Sequence, residues 1–77
     1  MEELLKRISI DPKVMVGKPV IKGTRITVEF VLDLLSKGRT PEQIVDSYPH
    51  LKVEDIHACI AYAAEVIRNE TIYPVSA

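Results

Sequence analysis

Apolar and polar positions along this 77-residue chain change their period once, near residue 27. Before it, short alternations dominate. Ile8 and Ile10 flank Ser9, Val14 and Val16 flank Met15, and Val20-Ile21 and Arg25-Ile26 stand around Lys22-Gly23. Period-two alternation over a few residues, punctuated by Asp11-Pro12, Gly17 and Pro19, predicts short β-strands joined by turns. Met1–Lys6 has moderate helical character. Strands this short need helices or a second chain to lie on.

After residue 27 the period becomes helical. Thr27 is placed to cap a first helix, Glu29 complements its positive start, and Gly38 suits the residue just past its end. Phe30, Val31, Leu34 and Leu35 recur at helical spacing, with Asp33, Ser36 and Lys37 left for water. Thr40-Pro41-Glu42-Gln43 is a capping-box signature with proline in the first turn. It opens a second helix of about two turns with Ile44, Val45 and Tyr48 on its apolar side, ended by Pro49. A third helix is predicted over Val53–Arg68, with Val53, Ile56, Ile60, Ala63 or Ala64, and Ile67 as its inner stripe. Leu34, Ile44, Ile56 and Ile60 form the expected shared core. Ala58, Cys59, Ala61, Tyr62 and Val66 are also apolar, so this helix should be covered on more than one side. In so small a domain another chain is the simplest second cover, and Cys59, Tyr62 and Val66 are its expected partner interface.

The architecture expected is mainly α: one domain over 1–77, with an extended β segment at 1–26 and a three-helix bundle at 27–77. The short middle helix and the tight Pro49–Lys52 connection outline a helix-turn-helix bundle. Such bundles read DNA with the first turns of the last helix, yet here those turns offer Val53, Glu54, Asp55 and His57. Two carboxylates repel phosphates.

Charge shifts attention to the other end of the chain. The net charge of −1 hides six Lys/Arg against three Asp/Glu in residues 1–26, and four against eight in 27–77. A basic front and an acidic back permit nucleic-acid contact through the front or head-to-tail association. Lys13, Lys18, Lys22 and Arg25 are the candidate DNA contacts; pairing of Arg25 with Asp33 or Glu29 is the structural alternative. Apolar residues make up 47% of the chain, which excludes disorder. One cysteine rules out an intrachain disulfide framework, fits a reducing cytoplasm, and with His50 and His57 offers no metal-ligand spacing. No run approaches membrane-spanning length. Gly17-Lys18 lacks the glycine spacing and hydroxyl of a phosphate loop and reads as a turn. Glu54, Asp55 and Glu65 read as a solvated face. No acid–base, nucleophile or metal constellation forms, so no enzyme activity and no cofactor are expected.

Ile10-Asp11-Pro12, Gly17 through Ile26, Gly38, Glu42-Gln43-Ile44, Tyr48-Pro49, Leu51, Glu54-Asp55-Ile56 and Ala61-Tyr62-Ala63 together resemble a prokaryotic family. It is domain-of-unknown-function family 433, small proteins described as predicted, VapB-like antitoxins of toxin–antitoxin pairs. The resemblance runs from about Arg7 to Ile67. It implies a homeodomain-like fold, dimerisation, binding to its own promoter DNA, and a toxin partner resembling PIN-type ribonucleases. Lys52 departs from the Ser or Thr that family members often carry as cap of the last helix. The tail after Ile67 limits any toxin-wrapping segment to Arg68–Ala77. The reading is a DNA-binding, antitoxin-like homodimer; the alternative is a dimeric protein-interaction module without nucleic acid.

Overall fold

The helix caps fall on the residues whose side chains can accept from orphan backbone donors. The computed structural model describes residues 2–69, as a small, mainly helical fold with a short antiparallel sheet near its N-terminus. In order these are α1 (Glu2–Leu5), β1 (Ile8–Ser9), β2 (Val20–Ile21), α2 (Val28–Ser36), α3 (Pro41–Ser47) and α4 (Val53–Asn69). The Phe30 N–H donates to Thr27 Oγ1 at 3.0 Å, which starts α2. Gly38, at φ 91°, lets the chain leave it. At α3 the box closes in both directions: Gln43 N–H donates to Thr40 Oγ1 at 3.1 Å, and Thr40 N–H donates to Gln43 Oε1 at 2.9 Å. Lys52 cannot cap α4, but Asp55 reaches back, its Oδ2 accepting from the Lys52 N–H at 2.8 Å. Half of a capping box therefore survives the lysine.

The two strands pair with Ile8 opposite Ile21 and Ser9 opposite Val20. Both residues of β2 are buried, and Ile21 joins Val28, Val31, Ile44, Leu51, Ile56 and Cys59 in one cluster. Leu34 is half-buried and packs on that cluster. The expected alternation at Val14 and Val16 is not a strand. Met15–Gly17 form a tight turn in which all three residues have positive φ. Arg25-Ile26 likewise belongs to a turn closed by Thr24, whose Oγ1 donates to the Ile21 carbonyl at 2.8 Å and accepts from the Ile26 N–H at 2.9 Å. Gly23, at φ 82°, permits the reversal.

The inner stripe of α4 differs from the one predicted. Ile56 and Cys59 lie fully buried, flanked by Ala58 and Ala61, whereas Ile60 is 45% exposed and Ile67 71%. Both stripes fit a 3.6-residue period, and a helix apolar nearly all round leaves the choice to packing. Part of the cover comes from this chain's own front: α1 and β1 pack on α4 as well as α2 and α3. That cover leaves Val66 and Ile67 exposed near the end of α4. Asp55, expected on a solvated face, is buried under it, and its Oδ1 accepts from Arg7 Nη1 at 3.0 Å. This ion pair fastens the N-terminal segment to α4 across 48 residues of sequence.

Candidate nucleic-acid and partner surfaces

Two stapled turns carry half of the basic front, Lys13, Lys22 and Arg25. In the first, Lys13 N–H donates to Asp11 Oδ1 at 2.9 Å and Val14 N–H donates to the Asp11 carbonyl at 2.8 Å. The second is the Ile21–Ile26 turn held by Thr24. They face each other across an open, polar groove of about 460 Å³ lined by Ser9, Asp11, Val14, Val20, Gly23, Thr24 and Arg25. Lys13 adjoins this lining in sequence on one side and Lys22 on the other. Lys13, Lys22 and Arg25 are exposed, and among the described residues none of the three forms an ion pair. Arg25 thus pairs with neither Asp33 nor Glu29.

Lys18 stands apart from that cluster. Its Nζ lies 3.3 Å from Glu29 Oε1, and it borders a different, apolar groove. Other front charges are spent inside the chain: Lys6 pairs with Glu3 at 3.4 Å and Arg7 with Asp55. Of the four predicted cations, the groove is thus lined by Arg25 and adjoined in sequence by Lys13 and Lys22, while Lys18 lies beside α2. Lys52, just before α4, and Glu54, His57 and Ile60 on it are exposed. Their mixture of one cation, one acid and an apolar side chain is unlike the cation-rich face that tracks phosphates.

The last turns of α4 form a ridge between two apolar grooves. One is lined by Leu5, Ile8, Ile10, Tyr62, Glu65, Val66 and Asn69. The other, of about 330 Å³, runs along Pro19, Val28, Leu32, Tyr62, Ala63, Val66 and Ile67. Tyr62 and Val66, two of the expected interface residues, belong to both. Cys59 does not belong to this face. It is wholly buried in the core, where desolvation and the nearby Asp55 carboxylate push its thiol from 9.0 up to about 12. A thiol so held is a packed apolar group and not a nucleophile. Exposed Ile10, Val16, Phe30 and Ile67 were missing from the predicted surface, since an apolar residue in a regular pattern reads first as core. Among the described residues no group of three or more His, Cys, Asp or Glu could hold a metal ion, and no helix is long and apolar enough to cross a membrane. The part of the toxin-wrapping segment beyond Asn69 lies outside the described residues.

Comparison with known proteins adds a family. The model described as "Protein of unknown function (DUF433)" matches residues 8–63. A Sinorhizobium fredii protein named only as uncharacterized protein y4eO is 30% identical over 56 residues, covering 73% of this chain and 25% of its own length. An uncharacterized Archaeoglobus fulgidus protein is 68% identical over 25 residues, 32% of this chain and 69% of its own. The crystal structure of a DUF433 member from Anabaena variabilis superposes with a TM-score of 0.76 at 28% identity, covering 87% of this chain and 66% of that one. The chain thus spans a quarter of the first relative and about two thirds of the solved one.

Proposed function

We propose that this chain, which belongs to the DUF433 family, acts as a VapB-like antitoxin regulator that binds its own promoter DNA as a homodimer and holds a toxin protein. In this reading α2–α4 form a homeodomain-like helix-turn-helix. The protein works in the cytoplasm, and it is not an enzyme. DNA is met by the two basic turns, through Lys13, Lys22 and Arg25, and not by the start of α4. The toxin, resembling a PIN-type ribonuclease, and the second protomer use the Tyr62–Val66 ridge and its flanking grooves. The observation that carries the nucleic-acid half is that exposed Arg25 lines this groove, while Lys13 and Lys22, next in sequence to its lining residues Val14 and Gly23, are exposed and form no ion pair among the described residues. Phosphate contacts of this kind supply affinity and orientation without reading bases.

A second reading, a dimeric protein-interaction module without nucleic acid, is favoured by the exposed Glu54, His57 and Ile60 on the helix that would enter a groove. The two separate by mutation. Binding of the chain's own upstream DNA fragment should weaken strongly when Lys22 and Arg25 are both changed to Ala. Glu54→Gln should leave it unchanged or improve it. The reverse pattern would make α4 the reader, and absence of binding at low salt, with or without the neighbouring gene product, would favour the interaction module.

A further inference from the structure

Three consecutive residues, Met15, Val16 and Gly17, lie in the left-handed region at φ 50°, 57° and 80°. Glycine enters that region freely, but a residue with a β-carbon meets the following carbonyl oxygen, and β-branching makes this worse. Burial offers no compensation, because Val16 is 93% exposed and Met15 37%. The tip is nevertheless held in place. Gly17 N–H donates to the Val14 carbonyl and Lys18 N–H to the Met15 carbonyl, both at 3.1 Å, directly beyond the stapled Asp11–Val14 turn. Strain kept at an exposed apolar tip is typical of a contact element.

Charge complementarity identifies what it contacts. Lys13 precedes Val16 by three residues and Lys18 follows it by two, with Lys22 and Arg25 on the next turn. Of the acids around the tip, Asp11 accepts from the Lys13 N–H, Glu29 meets Lys18, and Asp33 meets Lys37 at 3.0 Å. The Lys18–Glu29 pair is more than half exposed on both sides, so it is weak and Lys18 can exchange Glu29 for a phosphate. An apolar tip gains nothing from phosphates or water. It gains from the space between stacked bases once flanking cations have fixed the backbone.

We propose that Val16, backed by Met15, is an apolar wedge that enters the minor groove of duplex DNA and opens one base step, while Lys13 and Lys18 hold phosphates on either side. This rests on the nucleic-acid reading above and adds to it a way of deforming the duplex. Asparagine tolerates the left-handed backbone, so Val16→Asn removes the wedge without changing charge. Val16→Gly removes it with no side chain at all. The probe is the chain's own upstream DNA fragment labelled at both ends for energy transfer, titrated with the full chain at several salt concentrations. The wild type should bend the fragment by tens of degrees, and both variants should keep the salt dependence and lose the bend. Binding without a bend, or a bend unchanged in both variants, overturns the wedge and leaves the nucleic-acid reading standing. No binding by the wild type at low salt overturns both. Variants that keep the bend but release a protein partner overturn the wedge and assign the tip to that protein.

Discussion

Replacing Val16 by glycine is expected to stabilise this protein, although nearly every truncation of an apolar residue does the opposite. At φ 57° the left-handed backbone costs a residue with a β-carbon roughly 1–2 kcal/mol. Glycine removes that strain, and its greater freedom in the unfolded chain takes back roughly 0.5–1 kcal/mol. Val16 is 93% exposed, so no packing loss enters. The net gain should be about 0.5–1 kcal/mol, or roughly 2–8 °C in Tm for a domain of this size. The adjacent change, Gly17→Ala, should act with the opposite sign. A Cβ there would meet only Pro12 Cα at 3.8 Å, an ordinary contact, so the loss comes from φ 80°, roughly 1–2 kcal/mol, less the roughly 0.5–1 kcal/mol returned by the stiffer unfolded chain, a net of about 0.5–1 kcal/mol. Urea unfolding of both variants, with a shared m-value, measures the two effects. A Val16→Gly protein less stable than wild type, or a Gly17→Ala protein as stable, would refute the left-handed turn.

The register of α4 is tested by a pair of truncations. Ile56→Ala should cost about 2–5 kcal/mol because Ile56 is fully buried, whereas Ile60→Ala on the exposed face should cost under about 1 kcal/mol. Asp55→Ala removes both the Arg7 partner and the half cap of α4, and denaturant titration should show a loss of about 1–3 kcal/mol; Asp55→Asn should lose less. With the Cys59 thiol pushed up to about 12 from 9.0, the unfolded chain releases that proton first as pH rises. The contribution of Cys59 is then complete below pH 9.0 and disappears between there and about 12, so stability should fall with pH across that window. Thiol-labelling of the native protein should correspondingly be slow until it unfolds.

What the sequence made legible is what local chemistry determines. Thr27, Thr40, Pro41, Gln43 and Gly38 mark helix ends because caps and left-handed exits depend on side chains within a few residues of one another. Ile44 and Ile56 belong to the core in any packing of these helices. The register of α4 was not legible, since Ile60 and Cys59 each fit a 3.6-residue stripe and only the placement of α1 and β1 decides between them. Asp55 shows the same limit: beside Glu54 it looks solvated, and its partner Arg7 lies 48 residues away. The turn at Met15–Gly17 opposed local preference outright, because a valine between apolar neighbours reads as strand. Lys18 lies near the other cations in sequence, and only the fold shows its exposed pairing with Glu29.

The central claim is that Lys13, Lys22 and Arg25 form a phosphate-contacting surface. Its most direct test is the affinity of the full chain for its own upstream DNA fragment, measured over a series of salt concentrations. Each neutralised phosphate releases about 0.9 of a counterion, so three cations per chain predict a log–log slope of about −2.7, doubled in a dimer. The Lys22→Ala, Arg25→Ala double variant should flatten that slope by about 1.8 per chain. A slope near zero, or one that the double variant leaves unchanged, would contradict the assignment.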